Sequence, residues 1–222
     1  VLFAFLIASC AAPDRDIRFF RSEAYTFSRA ERRLIEDVTH ATVREVRSLL
    51  PGIPERIYLT VRPGKDVIEE TGEIGTAMPP DGIMWTVDPG RAGGVEAVVK
   101  EWLRACLFHE LHHLARLATQ PAEGLVDRAI LEGMATVFER DFAHTNPPWR
   151  SYPDNVGLWA DELLKLPRDA SDREWMSRHP DGRRRIGYKV GTYWVDQAMA
   201  KSARSIADLT NMSTADVLAL AR

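Results

Sequence analysis

Cysteine is almost missing from this 222-residue chain: Cys10 and Cys106 are the two present, so one disulfide is the most it could form. A small fold stapled by several bridges is thereby excluded. Long apolar runs are missing as well. The longest, Val1 to Ala8, falls far short of the ~20 residues a membrane-spanning helix requires, which excludes a polytopic membrane protein. Neither charge predominates: 29 Lys and Arg stand against 32 Asp and Glu for a formal net charge of -3, and the longest basic run is Arg183, Arg184 and Arg185. Without a basic footprint, nucleic-acid binding is not expected. A chain of this length with 45% hydrophobic residues can bury a sizeable core, as one ordinary globular domain does.

Val1 to Ala8 reads VLFAFLIA and gives way at Ser9-Cys10 to the polar stretch Pro13-Asp14-Arg15-Asp16. This is the pattern of the apolar region of a secretory signal, with the basic region ahead of it absent from the sequence. Ile7-Ala8-Ser9-Cys10 resembles a bacterial lipobox, in which the cysteine is acylated and becomes the new N-terminus. The expected organisation is therefore a signal peptide over residues 1–9, a lipidated tether over 10–27 and one domain over 28–222. Cys10 would carry the acyl chains that hold the protein to a membrane of the bacterial cell envelope. A short buried N-terminal strand or helix is the competing reading of the same run.

Within the domain, Leu34, Ile35, Val38, Ala41, Val43, Val46, Leu49 and Leu50 recur near the helical period between Ser28 and a Pro51-Gly52 stop. Ile57 to Val61 and Ile83 to Val87 are β-branched and aromatic stretches between Pro and Gly turns, so both read as strands. Beyond Gly94 the pattern is helical: Val95 to Thr119, Leu125 to Ala143, Asn155 to Leu166, Ile186 to Ala200, and a last helix opened by Ser213 or Thr214. The fold class is α+β, a small N-terminal sheet followed by a mainly helical part.

The most apolar helix carries His109-Glu110-Leu111-His112-His113. His109 and His113, four apart, stand one turn apart on one helix face and can reach a single metal ion. Glu110 is rotated off that face, where its carboxylate reaches a water in an open coordination position, and the spacing suits hydrolysis. A catalytic zinc takes three protein ligands, so a third donor is needed. Eighteen residues separate His113 from Glu132, and a Gln120-Pro121 break lets the chain turn back. Ala129, Gly133, Ala135 and Thr136 around Glu132 are small enough for that second helix to pack closely.

His109-Glu110-x-x-His113 followed by Glu132 in Leu131-Glu132-Gly133-Met134-Ala135 is similar to the gluzincin zinc peptidases. Together with Gly187-Tyr188-Lys189-Val190-Gly191, the set resembles a bacterial family of predicted zinc-dependent proteases catalogued as a domain of unknown function. The resemblance covers about Ile57 to the C-terminus. It implies a zincin-like fold with zinc held by His109, His113 and Glu132. Leu131 stands where aminopeptidases of the group have Asn, and no Gly-x-Met-Glu-Asn stretch occurs, so aminopeptidase specificity does not carry over. Tyr188 is the candidate for stabilising an oxyanion, since gluzincins bring a Tyr or His from a downstream helix to the substrate carbonyl, and Tyr193 is its rival.

His112 reads as a partly buried helix histidine or a group supporting the ligands, Cys106 as a small buried hydrophobe with contact to the site as the alternative, and Arg183 to Arg185 as a solvated run with binding of a substrate carboxylate or an anionic lipid as the alternative. Zincins place an edge strand before the metal helix, and the Gly75-Thr76-Ala77 and Ile83-Met84-Trp85-Thr86 stretches occupy that position. The expected activity is peptide-bond hydrolysis with zinc as cofactor and Glu110 as general base. A non-catalytic binding lipoprotein on the same scaffold and a zinc hydrolase of a non-peptide amide or ester are the competing readings. The oligomeric state is not legible.

Overall fold

The computed structural model describes residues 16–147, 149–167 and 170–222. Cys10 and the signal-like run before it lie outside the described residues. Among those described, four strands form one sheet: β1 (Ile17–Phe19), β2 (Tyr58–Pro63), β3 (Glu73–Met78) and β4 (Gly82–Val87), in the order β1-β2-β4-β3. β2 runs parallel to both β1 and β4, while β3 folds back antiparallel on β4, with Gly75 opposite Trp85. β3 is therefore an edge strand, and β4 is paired on both sides. Leu59, Val61, Ile83, Trp85 and Val87 alternate along β2 and β4 with less buried neighbours, so their side chains share one core face of the sheet.

The long helix α1 (Arg29–Leu49) opens with a capping box between Ser28 and Glu31, and buries Ile35, Thr39, Thr42, Val43 and Val46. A second helical stretch begins as α2 (Gly94–Val98), widens into a π-helical turn at Val99–Leu103 and continues as α3 (Arg104–Leu117). α4 (Leu125–Phe138) likewise passes into a π-helical turn, Glu139–Ala143. Then follow α5 (Val156–Leu163), α6 (Asp172–Met176), α7 (Ile186–Ser202), α8 (Ile206–Thr210) and α9 (Thr214–Ala221). α3 is buried nearly all round, from Ala105 to Arg116, because the sheet, α1, α4 and α8 all pack on it.

The sheet-then-helices architecture is the α+β class that the sequence suggests. Differences fall on short pieces. Ile17–Phe19, inside the stretch read as a tether, pairs with Leu59–Val61 and extends the sheet. α6 and α8, five residues each, and the two π turns are further elements the periodicity does not reveal. No helix among the described residues is long and apolar enough to cross a membrane.

Candidate metal centre

His109 and His113 project from one face of α3 with ring centroids 4.6 Å apart, as the four-residue spacing requires. α4 lies across them. Its Glu132 brings Oε2 to 3.0 Å from His109 Nε2 and 3.4 Å from His113 Nε2. One donor atom from each residue lies within 4.8 Å of the others, and this is the metal-competent cluster among the described residues. Two imidazole nitrogens and a carboxylate, all from largely buried side chains, fit zinc: the donor set suits that ion, and three protein ligands leave a position open.

Glu110 lies on the sheet side of α3. Its carboxylate accepts a hydrogen bond from the backbone N–H of Ala77 on β3. Gly75 makes this close approach possible, because a Cβ at that position would overlap both Cys106 Sγ and Glu110 Oε1. Tyr188 comes from α7, where its phenol interacts with the Glu132 carboxylate. α7 can bring it there because α4 and α7 touch backbone to backbone: a Cβ at Gly133 would strike the Gly191 carbonyl, and one at Gly191 the Ala129 carbonyl. Glu132 adjoins Gly133 and Tyr188 lies one turn before Gly191, so a single helix crossing draws the two residues together. His109, Glu110 and Tyr188 line one pocket of about 290 Å³.

A family model described as Predicted Zn-dependent protease (DUF2268) matches residues 25–219. The chain belongs to this family. Neither the curated proteins nor the solved structures contain a match.

In this member of the predicted zinc-dependent protease family, the cluster is supported by a further buried carboxylate. Glu139, 2% exposed, accepts a hydrogen bond from His109 Nδ1 at 3.1 Å, and its other oxygen accepts from Thr145 Oγ1 at 3.3 Å. Carboxylates that hold the outer nitrogen of a ligating histidine fix its tautomer and aim the inner nitrogen at the metal. Glu139 lies seven residues after Glu132, two turns along the same helix line, and that spacing was the available signal. The equivalent Nδ1 of His113 is buried with no partner among the described residues.

The electrostatics follow from burial and crowding. Burial opposes the charge on His109, but Glu132 and Glu139 outweigh it and raise its pKa well above the ordinary value. Glu132 is likewise disfavoured by burial, yet the neighbouring histidines hold its carboxyl far below the usual range. Glu110 is pushed up, chiefly by burial, with Glu132 adding repulsion. Burial, then Glu132 and Glu110, drive Tyr188 well above 10, so it faces the pocket as a neutral O–H donor. Glu73, unremarked in the sequence, is buried beside this group. Burial lifts its pKa to about 7, against hydrogen bonds from the Cys106 thiol and from Trp85 Nε1 at 2.8 Å.

The remaining candidates fall away from the pocket or take other work. Tyr193 packs its ring on Tyr152, with centroids 5.5 Å apart. His112, fully buried, bonds to Thr210 Oγ1 at 3.2 Å on α8, and burial lowers its pKa, so it is a neutral core residue. Cys106 is a buried free thiol. The arginine run is more than solvated charge. Arg183 grips Glu162 and Asp181 at 2.7 Å each, while Arg185 stacks over Trp149, bonds Glu70 at 3.1 Å and lines the pocket.

Proposed function

We propose that this protein is a zinc metallopeptidase in which His109, His113 and Glu132 hold the metal, Glu110 is the general base and Tyr188 the oxyanion donor. The observation that carries the reading is the convergence of those three donors within 4.8 Å, with Glu110 and Tyr188 beside them. Zinc, when bound, supplies Lewis acidity toward a carbonyl oxygen and a water molecule. Glu110 takes the proton of the attacking water and passes it to the leaving amine, a role suited to a buried carboxyl whose basicity is raised. The Tyr188 O–H donates to the carbonyl oxygen as negative charge develops on it. β3 is an edge strand next to Glu110, bridged by Ile68 at Glu73 and with its Ala77 N–H held by Glu110, and the rest of its outer edge offers an extended peptide main-chain hydrogen bonds.

Metal analysis of the purified protein, paired with digestion of a mixed peptide library with and without a chelator, tests this directly. One zinc per chain and chelator-sensitive cleavage are expected. His109→Ala, His113→Ala and Glu132→Ala should each lose most zinc affinity, whereas Glu110→Gln should keep zinc and lose cleavage. Wild-type zinc binding in Glu132→Ala would refute the ligand set.

The proposal extends to location: an envelope protein anchored through an acylated Cys10, supported by Ile7-Ala8-Ser9-Cys10 at the end of an apolar run. Fatty-acid incorporation should occur in the full precursor and disappear in Cys10→Ser, releasing the protein from the membrane fraction. Unchanged membrane partition would sink the anchor.

A further inference from the structure

The pocket beside the metal cluster extends along α3 past His109, toward the N-terminal end of the helix. Ala105 and Cys106 lie four and three residues before His109, and Trp102 precedes them in the π turn. The rest of its wall comes from elements distant in sequence: Ile68 ahead of β3, Trp149 after the second π turn, and Met176 at the end of α6. Met176 is seated against α7, where the missing side chain of Gly187 leaves room for its sulfur one residue before Tyr188. The cavity of about 290 Å³ is at the small end of ligand pockets, room for a side chain and little more.

Charged groups also reach this space, but each is held by the protein. Arg185 is bonded to Glu70 and stacked over Trp149. Glu139 is engaged by His109 and Thr145, Glu73 by Trp85 and Cys106, and Glu110 by the backbone N–H of Ala77. A charged side chain entering here would lose its water and compete with those existing pairs. An apolar one would meet two indoles, an aliphatic chain, a thioether and a methyl and would break none of those pairs, while the indole N–H groups of Trp102 and Trp149, which have no hydrogen-bond partner among the described residues, would lose nothing.

We infer that this is a specificity pocket that receives one large apolar or aromatic side chain adjoining the bond to be cut. Substrates are therefore peptides with Phe, Tyr, Trp, Leu or Met at one position flanking the scissile bond. The inference rests on the peptidase reading for the identity of its ligand, and it can be tested separately from it.

The zinc-loaded full chain is given a peptide library randomised on both sides of the cleaved bond. Large apolar residues should be favoured over Ala by about tenfold or more at one flanking position, the discrimination a hydrophobic pocket ordinarily achieves. Ala105→Val, which narrows the pocket, should move the preference toward smaller side chains, and Trp102→Leu should widen the range accepted. A reordering of preference is a readout that general damage to the fold would not produce. Because Ala105 is deeply buried, Trp102→Leu, at a half-buried position, carries the test if the first variant fails to fold.

A preference for Lys, Arg, Asp or Glu, or a preference that both variants leave unchanged, would overturn the inference. If the wild type cleaves nothing, the peptidase reading fails, and the pocket is judged by binding. In a nuclear magnetic resonance titration, N-acetylphenylalaninamide should bind at least about tenfold more tightly than N-acetylalaninamide or N-acetylargininamide, and Trp102→Leu should reduce the difference. Equal binding of the three would overturn the pocket assignment.

Discussion

Removing Glu139 isolates one part of the cluster, because this carboxylate touches His109, a proposed ligand, but is not among the three converging donors. In Glu139→Ala the Nδ1–H of His109 loses its acceptor in a place where water has little access, Glu139 itself being 2% exposed. An unmet buried donor costs about 1–3 kcal/mol, or about fivefold to 150-fold in an equilibrium constant. The imidazole also becomes free to rotate or change tautomer, and loss of such outer partners typically weakens metal binding by about 10- to 100-fold. Zinc affinity should therefore fall by between one and two orders of magnitude in Glu139→Ala and by less in Glu139→Gln, which keeps an acceptor oxygen. Competition against a chromogenic chelator reads the affinity, while circular dichroism confirms that the variants fold. Folded Glu139→Ala with zinc affinity within about twofold of wild type would refute the reasoning, and the His109 orientation would have to come from packing alone.

Two further outcomes follow from the geometry. Tyr188→Phe should lower kcat by about 100- to 1000-fold with KM and zinc content little changed, whereas Tyr193→Phe, whose ring lies on Tyr152, should be near wild type; steady-state kinetics on a cleaved peptide decides, and the opposite ranking would mean that α7 is misaligned. Glu73 concerns stability: with its pKa raised from 4.5 to about 7, the protonated form is favoured by folding, so its stabilising contribution is complete below about 4.5 and lost as pH rises through 7. That displacement corresponds to about 3 kcal/mol, and urea unfolding of chelator-treated protein at pH 5 and pH 8 should show a smaller fall in Glu73→Gln than in wild type; equal falls would refute it.

The legible parts of this chain are those where one period persists for many residues. α1 buries one stripe over 21 residues and stops at Leu49, before Pro51-Gly52, and α4 starts at Leu125 as its pattern suggests. β3 is harder to read because it is an edge strand: Ile74, Thr76 and Met78 are exposed, and Gly75 is set by α3 and not by strand preference. The π turns carry no periodic signature, since they arise where a helix takes up an extra residue under tertiary constraint. They nonetheless abut the site, with Trp102 in the first and Glu139 in the second. In the cluster itself, the four-residue spacing fully determines that the two histidines share a face. The placement of Glu132 depends on how α4 crosses α3 and α7, and the small residues around it only permit that crossing. Nothing in the sequence near Glu73 signals that it is buried beside Glu110, because the contact is made through Trp85 and Cys106 from two other elements.

The charge distribution around the pocket gives an argument for a cation that is independent of ligand spacing. Glu73, Glu110, Glu132 and Glu139 are all largely buried around the small volume that includes His109 and His113. Carboxylates removed from water are costly unless a positive partner or strong hydrogen bonds accompany them. The permanent cation that lines the pocket, Arg185, is already bonded to Glu70. The protein's own remedy is protonation: His109 takes up charge, while Glu73 and Glu110 hold their protons to higher pH. A divalent cation between His109, His113 and Glu132 would balance the same negative charge without those protons, so zinc uptake should release protons to solvent. It would also oppose the burial that raises the Glu110 pKa and so favour the carboxylate form that the proposed general base requires. On this argument the acidic surroundings of the histidines favour metal uptake, and a cation held by the cluster would favour the carboxylate form of Glu110.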